Sequence, residues 1–175
     1  AVGRREAIAQ LPMASYAKIV VSFGRKVIDA PANRSVLGLN RREQAFEAVV
    51  RPQGHDAALF FVGGALARQI EEEGTGAAVS FAVSSLAEIY GDKLRGQVVR
   101  SHVTRWGRDP FARGAWSMAM PGHADKRLVL AQPHHDRVFF AGEATDPVGA
   151  GRVGGAYASG VRAAREALAV LGAKR

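Results

Sequence analysis

Apolar residues recur along this chain with two different periods. From Met13 to Phe23, Ala17, Ile19, Val21 and Phe23 alternate with Tyr16, Lys18, Val20 and Ser22, which predicts a strand with its odd positions facing a core. Three shorter runs follow at Ser35–Leu39, Ala45–Arg51 and Ala57–Val62. They are split by Asn40-Arg41-Arg42 and by Pro52-Gln53-Gly54-His55-Asp56, while Ala30–Arg34 forms a turn cluster before them. Short strands joined by such turns predict an antiparallel meander. The period then lengthens. Gly63-Gly64 opens a helix through Glu73, Gly74-Thr75-Gly76 interrupts it, and a second helix covers Ala77–Tyr90 with Val79, Ala82, Val83, Leu86, Ile89 and Tyr90 on its inner face. Gly91 stands at its C-cap. Gln97–Trp106 returns to period two.

The last third carries the densest pattern. Val138-Phe139-Phe140-Ala141 predicts a short buried strand ended by Gly142 and Glu143. A glycine-rich loop follows. From Val153 the apolar positions Val153, Ala156, Tyr157, Gly160, Val161, Ala164, Leu168 and Leu171 are spaced by three and four, the mark of one helix face. Arg162 and Glu166, four apart, are placed for an ion pair on another face. A loop feeding a helix start in this way suits an anionic or electron-rich group, because free N–H groups and the helix dipole point at it. Gly149, Gly151 and Gly154 match G-x-G-x-x-G. A dinucleotide fingerprint, however, needs its first glycine directly after a strand and a second strand bearing an acidic residue about 20 positions on. About seven residues separate the expected strand end from Gly149, and no second strand follows, so the match is accidental.

Composition narrows the classes. With 175 residues, 47% hydrophobic and 23% charged, the chain has an ordinary globular make-up. No apolar run approaches the ~20 residues needed to cross a bilayer, and the first residues lack the apolar core of a signal peptide. There is no cysteine, which removes disulfides, thiolate metal ligands and cysteine nucleophiles. We expect a cytoplasmic protein without membrane contact. The net charge of +8 raises nucleic-acid binding, but the arginines are dispersed and no nucleic-acid motif accompanies them, so no nucleic-acid partner is expected.

Few side chains invite a catalytic reading on their own. Lys18 is expected to be a solvated strand lysine, His55-Asp56 turn formers, and Glu71-Glu72-Glu73 a solvated helix end. His123, His134 and His135 lack the spacing and companion ligands of a metal site, and no metal is expected. Walker, nucleophile-elbow and paired-carboxylate patterns are absent. Arg105–Met120, RWGRDPFARGAWSMAM, is different in kind. It holds both tryptophans, and Trp106, Phe111 and Trp116 offer rigid faces to a flat ligand.

RWGRDPFARGAWS, FFAGEAT and GRVGGAYASGVRAA together resemble the C-terminal part of the flavin-dependent amine oxidases, the family of monoamine and polyamine oxidases and histone lysine demethylases. The family's closing motif is similar to FFAGE-x-T, a variable loop, then (T)V-H-G-A opening a helix. Its tryptophan segment is similar to RW-x-x-DP-x-x-x-GSYS, and LPMASYAKIVVSF resembles the strand after its flavin-contacting lysine. The resemblance implies a mixed α+β fold: an antiparallel or mixed substrate-domain sheet with flanking helices over residues 1–132, then the C-terminal strand and helix of an FAD-binding domain over 133–175. It implies FAD as cofactor, an amine as substrate and O2 as final oxidant. Glu143 would accept hydrogen bonds from the ribityl or pyrophosphate-linked part of FAD, and Gly142 would admit the cofactor closely. Arg152, Val153 and Ala156 would lie at the helix start beside the flavin N1/C2=O edge, where negative charge accumulates on reduction. Trp106 would flank the isoalloxazine, and Trp116 would line an aromatic cage that favours an amine by cation–π attraction.

Three positions depart from the pattern. Trp116 stands for Tyr, Arg152 for Thr or Tyr, and Gly154 for His. Arg152 would repel a cationic amine and could pair an acidic substrate group. Without cysteine the flavin cannot be cysteinyl-linked to these residues. The family's N-terminal glycine fingerprint and flavin-contacting lysine have no counterpart here. The chain is therefore expected to represent about the last 40% of such an enzyme, to be incomplete and inactive alone, and to need the N-terminal half or a partner subunit. Uncovered apolar faces would favour self-association. The alternative expectation is a non-catalytic assembly module that keeps the fold.

Overall fold

The computed structural model describes residues 2–38 and 45–172. The expected turn at Asn40-Arg41-Arg42 and the end of the expected strand at Leu39 lie outside the described residues. The chain divides into two compact units, Ser15–Ala115 and the pair of segments Ala1–Ala14 with Trp116–Arg175. We refer to them as the sheet unit and the helical unit.

The sheet unit contains β1 (Tyr16–Phe23), β2 (Arg34–Gly38), β3 (Phe46–Val50), β4 (Ala57–Gly63) and β5 (Val98–Val103), with α2 (Gly64–Glu73) and α3 (Thr75–Tyr90) between β4 and β5. The five strands form one sheet in the order β2-β3-β4-β1-β5, antiparallel at every pairing. Ile19 of β1 stands opposite Phe60 of β4 on one side and Val103 of β5 on the other. The odd face of β1 is buried as its alternation predicts: Ala17, Ile19 and Val21 are fully enclosed. They join Ala48, Val50, Ala58, Phe60 and Val62 beneath Leu66, Ala67 and Ile70 of α2 and Ala78, Ala82 and Leu86 of α3. Phe46, Phe60 and Phe81 form an aromatic cluster with centroids 5.0–6.1 Å apart, the spacing of tilted and edge-on rings. Lys18 lies on the solvent face, its Nζ 5.6 Å from the Phe61 ring centroid.

Several expectations are corrected. β5 ends at Val103 instead of Trp106. There the Thr104 hydroxyl accepts the Lys18 N–H in place of a backbone carbonyl, and the chain turns through residues 106–108. Ile89 is half exposed, and Ala78 and Ala87 take the buried positions of α3 instead. Glu71 is not part of a solvated helix end. It is buried, its Oε1 accepts the Gly107 N–H at 3.0 Å, and only Glu72 and Glu73 face water.

The helical unit holds α1 (Val2–Gln10), α4 (Lys126–Ala131) and α5 (Val153–Gly172). Val138–Ala141 is not a strand. Val138 forms one isolated bridge with His134 and stays half exposed, because no neighbouring strand in the described residues pairs with the segment. Its backbone is held by side chains instead: Arg162 Nη2 donates to the Phe140 carbonyl at 2.8 Å, and the Arg4 guanidinium lies 3.9 Å from the centroid of the Phe140 ring. The inner face of α5 is also corrected. Gly155, Ser159 and Ala163 are buried, while Val153, Tyr157, Leu168 and Leu171 are exposed. Small residues win the inner face because Gly155 packs directly on Gly149, leaving no room for a Cβ at either position.

Candidate functional site

The FFAGEAT segment folds as a tight turn and not as the end of a strand. Gly142 has φ 128°, a conformation side chains disfavour, and directs its N–H to the Ser159 hydroxyl of α5 at 2.9 Å. Ser159 in turn donates to the Ala156 carbonyl. Residues 143–145 form one turn of 3-10 helix, closed when Thr145 N–H and Oγ1 both donate to the Gly142 carbonyl. Asp146 Oδ1 then accepts from Val148 and Gly149 N–H and folds the loop back onto α5. The first glycine of the G-x-G-x-x-G run thus follows a 3-10 turn. That run serves close packing between Gly149 and Gly155.

Glu143 is the centre of this arrangement. Its Oε1 accepts the Ser117 N–H at 2.7 Å, and its Oε2 accepts the Ser117 hydroxyl at 2.8 Å and the Gly151 N–H at 2.6 Å. Arg127 Nη1 stands 3.9 Å from Oε2. Burial alone would raise its pKa. The two N–H donors, the hydroxyl and the Arg127 charge outweigh burial and hold the carboxyl below the usual range, so Glu143 is ionised. Its side chain keeps about a fifth of its surface open, enough for a further donor to approach.

Arg127, on α4, was not read from the sequence as a site residue. It is buried, and it donates to the Ser117 hydroxyl, the Ser117 carbonyl and the Ala144 carbonyl. Ser117, Arg127 and Ser159 gave no signal because their neighbours in space lie ten to 26 positions away in sequence.

The structure gathers most of the predicted residues. Trp116 precedes Ser117, and its indole packs over Gly151. Glu143 and Gly142 lie at one end of the loop, Arg152 immediately precedes α5, and Val153 and Ala156 occupy its exposed first turn. Apart from the adjoining backbone, nothing lies within 4 Å of the space a Cβ would fill at Gly142 or Gly154. Trp106 belongs to the sheet unit, about half exposed on its 3-10 turn. Near it a cleft of about 240 Å³ is lined by His102, Val103, Thr104, Arg105 and Asp109. Phe111 is almost wholly exposed. The His134 and His135 rings lie 4.1 Å apart, and the charge of His135, with burial and Arg4, lowers the His134 pKa. No group of three metal-ligating side chains occurs among the described residues. No helix among them is long and apolar enough to cross a membrane.

Residues 1–168 match the family of flavin containing amine oxidoreductases. The chain belongs to that family. Among its relatives are polyamine oxidase 2 of Arabidopsis thaliana, 36% identical over 113 residues, and lysine-specific histone demethylase 1 homolog 3 of the same plant, 38% identical over 94 residues. Histone demethylase-like protein A of Aspergillus fumigatus is 28% identical over 192 aligned positions. These matches take in 65%, 53% and 97% of the chain but only 23%, 6% and 17% of the respective relatives. The chain thus spans less than a quarter of the length of these curated amine oxidoreductases. The family-matched residues 1–168 include the tryptophan segment and the closing motif that carried the resemblance.

Proposed function

We propose that this chain forms the closing part of an FAD-dependent amine oxidase, with an amine as substrate. One observation supports the reading above the rest: an ionised Glu143 and the uncovered first turn of α5 stand at the two ends of one glycine-lined loop within the family-matched region. On this reading residues 133–175, with the helices packed on them, close an FAD-binding domain, and the remainder of 1–132 supplies part of a substrate domain. The flavin-binding parts outside these residues come from further polypeptide or a partner subunit.

The residues present fit a flavin. Gly142 and Gly154 leave open space beside the loop. Glu143, already oriented by Ser117 and Gly151, keeps acceptor capacity for a ribityl or ribose hydroxyl. The Arg152 and Ala156 N–H groups bond to the Gly149 and Arg152 carbonyls, so the N–H groups of Val153, Gly154 and Gly155 at the start of α5 are the ones placed to stabilise negative charge at an electron-rich ring edge. When bound, FAD supplies the two-electron oxidant that takes hydride from the amine α-carbon, with O2 as final acceptor and an imine left to hydrolyse. Trp116 in the helical unit and Trp106 in the sheet unit each offer a flat apolar face to such a ligand. Arg152, exposed at the helix start, disfavours a simple monocation and pairs a substrate that also carries an acidic group. With no cysteine in the chain, cysteinyl attachment is not available here.

Co-expression with an N-terminal flavin-binding half from the same family tests the proposal. The expected result is a yellow complex that forms peroxide when an amine is added. A colourless complex without amine-dependent peroxide overturns it and leaves the assembly role.

A further inference from the structure

Carboxylates are rarely buried without a partner that needs them. Glu71 is 7% exposed in the last turn of α2, while Glu72 and Glu73 beside it face water. Both its side chain and its backbone hold the same distant segment. Oε1 accepts the Gly107 N–H at 3.0 Å, and the Glu71 carbonyl accepts Arg105 Nη2 at 3.4 Å and Arg108 Nη1 at 3.2 Å. That carbonyl is one of the unpaired groups at the end of α2, where guanidinium charge is favourable. Residues on both sides of Trp106 are therefore tied to one residue, 34–37 positions earlier.

The turn itself is closed from within. Asp109 Oδ1 caps the Phe111 and Ala112 N–H groups, and the Trp106 carbonyl accepts from the Asp109 and Gly114 N–H groups. These bonds fix the shape of the turn. They do not fix where the turn sits on the sheet unit. The hydrogen bonds that tie it to α2 run to Glu71, and Gly107 lies so close to the carboxylate that a Cβ there would overlap Oε2.

We infer that Glu71 is a positioning residue, which anchors the turn carrying Trp106 so that the indole is held in one place. The importance of Glu71 for oxidation rests on the proposed flavin reading, in which Trp106 flanks the cofactor. Its anchoring role does not. A buried carboxyl group is costly to remove from water, which leaves its acceptor function toward Gly107 as the reason for its place.

The test uses the chain with Trp116→Phe, which leaves Trp106 the only tryptophan. Glu71→Ala is expected to shift Trp106 emission to the red and to raise its quenching by acrylamide. Glu71→Gln, whose amide oxygen can accept the same N–H, is expected to restore both. Leu66→Ala, a core truncation in the same helix, is expected to lower stability without moving the emission of the folded state. In the chain without substitution at Glu71, Gly107 amide exchange is expected to be slowed about tenfold or more, the factor given by about 1.4 kcal/mol of hydrogen bonding. This measurement needs no variant to fold. Unprotected Gly107, or a Trp106 spectrum indifferent to Glu71→Ala, overturns the inference. In a complex with a flavin-binding half, FAD is expected to quench Trp106. Absence of quenching in every variant refutes the flavin reading, while emission and exchange still decide the role of Glu71.

Discussion

Replacing Arg127 by alanine removes the fork that joins α4 to the Ser117 and Glu143 turns. The guanidinium is buried, and it donates to the Ser117 hydroxyl, the Ser117 carbonyl and the Ala144 carbonyl, with Glu143 Oε2 at 3.9 Å. The variant leaves a largely buried carboxylate without its cation and two carbonyls without their donor. Losing one partner of a buried pair costs about 3–5 kcal/mol, and unpaired buried acceptors cost about 1–3 kcal/mol each, partly counted in the first figure. We therefore expect about 3–5 kcal/mol of destabilisation, confined to the helical unit. The assay is urea unfolding with Trp106→Phe, so that Trp116 reports on that unit alone. Far-UV circular dichroism follows both units. Arg127→Lys should recover less than half the loss, because an ammonium cannot span Ser117 and Ala144 as a planar fork does. A Trp116 midpoint corresponding to less than about 1 kcal/mol of loss, the range of an exposed ion pair, would show that Arg127 is not holding this turn.

Three further outcomes follow from the same geometry. The folded-state pKa of Glu143 is depressed, so the stability it contributes is present above the ordinary carboxylate value of 4.5 and is lost as pH falls through the lower folded value. The Trp116 urea midpoint should fall below that pH, and Glu143→Gln should flatten the dependence; an unchanged slope would exclude Glu143 as its source. Gly155→Ala places a methyl group into the Gly149 carbonyl and should cost at least ~1–3 kcal/mol, read as a lowered thermal midpoint of the helical unit. A midpoint matching the parent would show that the loop can retreat. We propose that the chain self-associates through α5, where Tyr157 and Leu168 stand open, and Tyr157→Lys combined with Leu168→Lys should then reduce the sedimentation coefficient. Equal sedimentation would remove that face from the interface.

The sequence was legible where burial follows a single local period. β1, the meander of β2 to β4, and the positions of α2 and α3 follow from alternation, turn residues and helical spacing, because each buries one face against the sheet. The helical unit was harder to read. The spacing of α5 is helical, but its most apolar stripe is exposed, and a stripe of Gly155, Ser159 and Ala163 is inside. Hydrophobic patterning reports which face could be buried, not which face finds a neighbour. Arg127 and Glu71 were invisible for a related reason. A charged residue in a helix is read as solvated until its distant partners, here Ser117 and Gly107, are brought beside it. The glycines of the closing loop were noticed, but their reason, contact between Gly149 and Gly155, is visible only once the loop has folded back.

The sheet unit interrupts the helical unit in sequence, and this sets an order of events during synthesis. Residues 15–115 form one compact unit, and the 60 residues of 116–175 follow it in the chain. At usual rates of about 5–20 residues per second, those residues take roughly 3–12 seconds to emerge. Over that interval the segment of α1 waits without Lys126, which Glu6 will pair, and without the Leu130 and Gln132 carbonyls that Arg4 will bind. β1 must also wait in its turn, first for β4 and then, 84 positions after Ile19, for Val103. α1 is thus made before the sheet unit but finds its α4 contacts only after that unit has emerged.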